Sequence, residues 1–333
     1  MKPLSNQQRL HQVNTDQLFD NYRTALGHAL AYQYGMRWKK VRQTEYLFRD
    51  KDRQGNGKSL GPRSPETEAV LAAFLAGREA AQERLRRITA QVQEQARLNK
   101  ALRLQRVPRV VARVLRELDR AGLHGSFTVI GTQALYAYEA AAGVHFLLEL
   151  LASGDVDLLD DTRQQMTVVS EKLDGEGLLG LLKKADKTFE CVRKDSYRAA
   201  NAGQFMIDLV MAPRGMQATD HVTFAQSDLV AIEVPGLQWL LNSPKLEAVA
   251  VDEDGWPVPM RVPDPRAFAL HKAWLSGLPE REPLKKPRDL AQAQSVAQLV
   301  VEHLPHLSFD STLTSLHGDV RKMLPALRPT QAP

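Results

Sequence analysis

Asp155 and Asp157 stand two residues apart in the run Gly154-Asp155-Val156-Asp157-Leu158-Leu159. Strand side chains alternate in direction, so both carboxylates share one face while Val156 and Leu158 turn to the core. Two like charges on one face call for a cation. Mg²⁺ or Mn²⁺ takes carboxylate oxygens, and ions bridging carboxylates and phosphate oxygens drive metal-dependent phosphoryl and nucleotidyl transfer. Asp208 is a third carboxylate, set between Ile207 and Leu209 in the apolar run 205–210. An unpaired charge there would be strongly disfavoured, so something must compensate it. If its strand lies beside residues 156–159, the three acids form an oxygen-ligand cluster suited to Mg²⁺ or Mn²⁺. Gly131-Thr132 follows the apolar run 127–130 and opens a small-residue helix; free N–H groups there favour a phosphate, though the pair can also be a plain cap.

Composition narrows the classes. The chain of 333 residues is 43% hydrophobic and 25% charged, ordinary for a globular protein with room for two or three domains. Cys191 is the only cysteine, which excludes an intrachain disulfide and a cysteine-cluster zinc site and fits a small buried apolar residue. No apolar run reaches the length of a membrane span, and the polar start Met1-Lys2-Pro3-Leu4-Ser5 is unlike a signal peptide. A cytoplasmic protein without membrane contact is expected. Residues 1–120 carry 24 Lys and Arg against 12 Asp and Glu, whereas residues 121–333 carry 20 against 27. A basic front half favours a polyanionic partner, and an acidic second half suits divalent cations; solvated helix faces would also account for the basic half.

Several elements must position these residues. The apolar spacing of Leu18, Tyr22, Leu26 and Leu30 predicts a helix over 16–35. Between Trp38 and Arg49, aromatic and basic residues interleave, and Gln54-Gly55-Asn56-Gly57-Lys58 is a turn signal. This predicts a basic β-hairpin over about 38–60. Trp38, Lys39, Lys40, Arg42, Tyr46, Arg49, Lys58 and Arg63 are candidates for stacking bases and holding phosphates, or for packing the hairpin onto the next helix. A long helix over about 66–104 and a second from Val110 to near Gly122 or Gly125 follow, divided by Pro108.

Beyond them, expected strands at 127–130, 156–159, 166–169 and 205–210 mix with helices at 133–142 and 176–185. The order describes an α+β fold with a mixed sheet flanked by helices. Helices near 236–242, 264–276 and 287–303, with a Pro-rich stretch at 257–265, describe a mostly helical C-terminal region. Three domains follow: an N-terminal basic helical arm with the hairpin (1–107), a catalytic domain (108–235) and the C-terminal region (236–333).

Gly131-Thr132, Asp155-x-Asp157 and Asp208 in a hydrophobic strand together resemble the signature of the DNA polymerase β-like nucleotidyltransferase superfamily. Thr132 stands where Ser is commoner and keeps the hydroxyl. The phrases at 129–144 (Val129-Ile130-Gly131-Thr132 onward) and at 58–68 (Lys58-Ser59-Leu60-Gly61-Pro62 onward) look like those of a sparsely characterised bacterial family of this fold, a likeness covering most of residues 20–300. The stretch 265–273, with Arg281 and Lys285-Lys286-Pro287-Arg288-Asp289-Leu290, resembles the Lys…Arg…Lys-x-x-Asp-Leu pattern of antibiotic and abortive-infection type nucleotidyltransferases.

The resemblance implies a nucleotidyltransferase-type sheet and an enzyme that moves a nucleoside monophosphate from an NTP to an acceptor hydroxyl or phosphate. It implies that Asp155 and Asp157 ligate both metals, Asp208 ligates the catalytic one and helps activate the attacking hydroxyl, and Gly131 and Thr132 cradle the β- and γ-phosphates. Lys272 is the counterpart of the helix lysine that reaches the triphosphate, or else a solvated helix lysine. His271 has no metal-ligand spacing and reads as structural or surface. The basic front half points to an RNA acceptor such as tRNA. A nucleotidyltransferase-fold binding module without catalysis and a toxin or phage-defence enzyme are the alternatives.

Overall fold

The structure is a computed structural model that describes residues 1–52, 54–161, 177–214, 225, 228–309 and 318–327. The chain divides into two compact units, residues 11–98 and residues 1–10 with 99–333. In chain order the elements are β1 (Lys2–Pro3), α1 (Asn6–Leu30), β2 (Met36–Val41), β3 (Thr44–Asp50), β4 (Gly57–Pro62), α2 (Pro65–Ala101), α3 (Arg109–Arg120), β5 (Phe127–Ile130), a 3₁₀ turn (Gly131–Ala134), α4 (Leu135–Ala142), β6 (Val144–His145) and α5 (Leu148–Leu151). They continue with β7 (Asp155–Asp160), α6 (Gly177–Ala185), β8 (Glu190–Cys191), β9 (Arg198–Ala200), β10 (Met206–Met211), β11 (Ile232–Glu233), α7 (Leu237–Asn242), β12 (Lys245–Val251), β13 (Pro257–Pro263), α8 (Pro265–Gly277), α9 (Lys286–His303), α10 (Gly318–Arg321) and a last 3₁₀ turn (Leu324–Leu327).

The unit of residues 11–98 joins two long helices to an antiparallel sheet of order β2-β3-β4. A single hairpin was expected over 38–60; the structure has a third strand, because a loop between Asp50 and Gly57 with Gly55 at φ 79° closes one turn and Arg42, at φ 55°, closes another. Helix α2 starts where Ser64 and Thr67 cap each other: the Ser64 N–H donates to Thr67 Oγ1 at 2.8 Å, with Pro65 in the first turn.

The larger unit is built on a mixed sheet of order β5-β7-β10-β9-β8, with β11 beside β10. β7 and β10 run parallel, and β5 and β9 are antiparallel to them. Apolar runs make these strands: all four residues of β5 are buried, as are Val156, Leu158 and Leu159 of β7 and Ile207 and Leu209 of β10. Their side chains join those of α3, α4, α6, α8 and α9 in one core. Helix α3 ends at Gly122, whose φ of 68° lets the Leu123 N–H reach Leu118 O at 2.8 Å. The strand expected at 166–169 lies outside the described residues.

In the C-terminal region the Pro-rich stretch is a strand, not a connection. Residues 245–251 and 257–263 pair along their whole length as an antiparallel ribbon. Pro257, Pro259 and Pro263 all fall on the same alternate set of β13, where N–H groups face away from the partner strand, so the ladder loses no donor. Asp252 closes the turn, accepting from Asp254 N and Trp256 N, and Arg116 pairs with it at 2.8 Å. Asp264 then caps α8, accepting from Arg266 N at 2.8 Å ahead of Pro265.

Candidate active site

Alternation along β7 works as the spacing requires: Val156 and Leu158 are buried while Asp155 and Asp157 lie partly exposed on the other face. β10 pairs Asp208 directly with Asp157, and β5 pairs Ile130 with Asp157 from the other side. Directly paired residues present side chains to the same sheet face, so Asp208 joins the face of Asp155 and Asp157. The chain turns at Gly131 immediately after Ile130. Its φ is 66°, and a Cβ there would collide with the Asp157 carboxylate, so both conformation and space require glycine.

Burial, and after it the charges of Asp155 and Asp208, push the Asp157 carboxyl up to about 7 against the pull of Lys272 and Arg198. Arg198 was not foreseen. It sits opposite Asp208 on β9 and grips both of its oxygens, Nε at 2.6 Å and Nη2 at 2.5 Å. Asp155 accepts from the hydroxyl of Ser153, and Gln133 Nε2 donates to the Asp155 carbonyl at 3.0 Å, tying the 3₁₀ turn to β7.

Lys272 is buried rather than solvated, and burial lowers its pKa. Its ammonium donates to Asp289 Oδ1 at 2.7 Å, while Arg281 binds Oδ2 at 2.7 Å. Two cations share one carboxylate. A positive charge therefore remains on the wall of a cavity of about 180 Å³ that is also lined by Asp157 and Gly131. Thr132 Oγ1 lies 3.3 Å from Arg288 Nη2 and 3.2 Å from Gln292 Nε2, so the first turn after β5 is held from α9.

Three carboxylates on one sheet face are the donor chemistry that Mg²⁺ or Mn²⁺ takes. Among the described residues no three His, Cys, Asp or Glu side chains gather tightly enough to hold an ion, and Arg198 engages both oxygens of Asp208. The donor types suit such an ion, while the Asp208 oxygens are taken by Arg198.

The basic and aromatic candidates of the front half lie in the unit of residues 11–98. Lys39 pairs with Tyr46, and Arg37 with Phe48, across β2 and β3. Those residues share one sheet face, and the Lys39 ammonium stands 5.2 Å from the Phe48 ring. Arg63 is already engaged by Glu45 and Glu68, both at 2.7 Å, and lies 5.2 Å from the Trp38 ring. Arg49 donates to Ala31 O and covers Phe74 at 4.1 Å. Lys40, Arg42 and Lys58 are exposed.

Arg198 sits in a three-residue strand too short to read from periodicity, and its only signal was a cation ten positions before a strand-buried Asp208. Arg281 and Asp289 were visible as members of a pattern, but their joint hold on Lys272 was not.

The mixed sheet thus carries three carboxylates on one face, beside a glycine turn and a cavity with a cationic wall. The chain matches a nucleotidyltransferase family over residues 109–317, more than half its length, and belongs to that family. No curated protein and no solved structure matches it. No helix among the described residues is long and apolar enough to cross a membrane.

Proposed function

We propose that the protein is a metal-dependent nucleotidyltransferase of the DNA polymerase β-like kind, moving a nucleoside monophosphate from an NTP to an acceptor hydroxyl or phosphate. The observation that carries this reading is the register of Asp208 against Asp157, with Asp155 on the same face. Asp155, Asp157 and Asp208 would hold Mg²⁺ or Mn²⁺. When bound, the ion neutralises triphosphate charge and makes the acceptor hydroxyl more acidic. The 3₁₀ turn at Gly131 and Thr132 takes the β- and γ-phosphates beside the carboxylates, because no side chain intervenes at Gly131. Lys272 and Arg281 supply the positive wall that receives the departing pyrophosphate. The acceptor oxygen forms a bond to the α-phosphorus as the bridging bond to the β-phosphate breaks; Asp208, released from Arg198, would take the acceptor's proton. Catalysis of this kind is mostly positioning and charge neutralisation.

The acceptor we propose is an RNA such as tRNA, supported by the basic and aromatic face of β2 and β3. Mass spectrometry of total RNA incubated with each NTP and Mg²⁺ tests the reading: one nucleoside monophosphate should be added, and no added mass with any NTP on any acceptor would remove it. A nucleotide-binding module without transfer is the second reading, favoured by the grip of Arg198 on both oxygens of Asp208. NTP binding without pyrophosphate release would establish it.

A further inference from the structure

Thr132 uses its hydroxyl differently from the threonines of the long helices. Thr15, Thr24 and Thr89 each donate their proton to the carbonyl four residues back. Thr132 has no helical carbonyl behind it, because β5 precedes the 3₁₀ turn. Two side chains of α9 meet its oxygen instead: Gln292 Nε2 at 3.2 Å and Arg288 Nη2 at 3.3 Å. Gln292 is wholly buried, and the same Nε2 donates to Leu150 O at 2.8 Å. A carbonyl only accepts, so the amide orientation is fixed, and the second N–H of Nε2 is the one that faces Thr132. Arg288 Nη2 also donates to Ala152 O, and a guanidinium has no acceptor to offer.

Both partners of Thr132 Oγ1 among the described residues are therefore donors. A hydroxyl oxygen has two lone pairs and one proton, so these two bonds fill its capacity to accept and leave the proton to be given away. What receives that proton is an acceptor from outside this cluster. Thr132 is half-buried rather than sealed, and Gly131 before it lines the cavity that also carries Asp157, Lys272 and Arg281. A phosphate oxygen suits the position. It accepts without donating, and its charge meets the guanidinium of Arg288 beside the hydroxyl and the cations of the cavity wall.

We infer that Gln292 and Arg288 make the Thr132 hydroxyl an obligate donor aimed at a phosphate of the bound nucleotide, Gln292 being a positioning residue that acts through Thr132. The inference rests on the nucleotidyl-transfer reading for the phosphate and adds the two residues of α9 that set the direction of its hydrogen bond. Without Gln292 one lone pair of Thr132 is free and the hydroxyl can rotate. The bond to phosphate is then made only part of the time, and affinity falls.

A double-substitution cycle on the full chain tests it, read by calorimetry as the affinity for inorganic tripolyphosphate with Mg²⁺ present. Thr132→Val exchanges the hydroxyl for a methyl group and should weaken binding about tenfold. Gln292→Met keeps the length, removes the donor and should weaken binding about threefold. In the Thr132→Val background Gln292→Met should cost nothing further, because its effect passes through the hydroxyl. Thr132→Ser should bind nearly as the parent does and keep the sensitivity to Gln292→Met. Gln292 Oε1 is buried without a partner, so Met removes an unsatisfied atom along with the two bonds, and melting curves should show a folded protein. Gln292→Leu takes its place if Met does not fold. Parental affinity in Thr132→Val, equal losses from the Gln292 substitution with and without the hydroxyl, or no tripolyphosphate binding by the parent overturns the inference. Nucleotidyl transfer persisting alongside such a result leaves the transfer reading intact. The predicted coupling without transfer from any NTP removes the transfer reading and keeps the assignment of Gln292.

Discussion

Asp208 lies directly across from Asp157 on the neighbouring parallel strand, and Arg198 closes over Asp208 from the strand beyond. A buried carboxylate facing another is repulsive, and here the nearest compensation is a guanidinium instead of an ion. On the proposed reading, Arg198 and a divalent cation would compete for the same oxygens. Arg198→Ala should strengthen Mn²⁺ binding several-fold, measured by calorimetry on the metal-free protein. Its side chain is 32% exposed, so the stability lost should be about 1–2 kcal/mol, below the roughly 3–5 of a fully buried pair. Weaker Mn²⁺ binding in the variant would show that Arg198 supports the site rather than competing for it.

Asp157 makes stability depend on pH in a stated direction. Its folded value of about 7 lies above the ordinary carboxyl value of 3.8, so the folded state binds the proton more tightly and stability falls as pH rises from about 4 to about 7. His145, pushed down to about 4, and His271, pushed down to about 3, oppose this by gaining stability as pH rises toward 6.5. Comparison with Asp157→Asn isolates the carboxyl. The metal-free variant should melt close to the parent at pH 4 and above it at pH 8; a difference constant across that range would contradict the raised value.

Gly131→Ala puts a methyl group against the Asp157 carboxylate at a positive φ. The backbone alone should cost about 1–2 kcal/mol, and the displaced carboxylate should lower kcat more than it raises KM. Denaturant titration and steady-state kinetics read the two effects separately. A variant with parental kcat would mean that Asp157 tolerates displacement.

Asp289 holds Lys272 and Arg281 together. Asp289→Ala leaves a buried ammonium without its carboxylate and should destabilise the protein by roughly 3–5 kcal/mol in urea unfolding. A loss under about 1 kcal/mol would mean that Lys272 finds another partner or loses its proton.

On the sheet of the front unit, exposed Arg37 and Lys39, on the face of Tyr46 and Phe48, bear on the proposed RNA acceptor. Replacing both by Glu should weaken RNA binding and flatten its dependence on salt, since each phosphate contact contributes slightly less than one to the slope. Unchanged slopes would place the RNA elsewhere.

Much of this was legible because burial writes itself as apolar runs. Phe127–Ile130, the alternation through Asp155 and Asp157, and the run around Asp208 each announced a strand, and Gly131 announced the turn. Hidden were relations between elements. Nothing in the run around Asp208 states that it pairs with β7 in parallel, or that a three-residue strand brings Arg198 onto it. The ribbon of β12 and β13 was masked by Pro257, Pro259 and Pro263, which read as a connection until their common phase in the ladder is known.

The central claim is that Asp157 and Asp208 are the working centre of nucleotidyl transfer. Incubation with Mg²⁺, total RNA and NTPs labelled at either the α- or the γ-phosphate tests it most directly, run in parallel on the parent, Asp157→Asn and Asp208→Asn. The α-label alone should enter the acceptor, and both substitutions should abolish it; transfer of the γ-label, or α-label transfer that survives both substitutions, would contradict it.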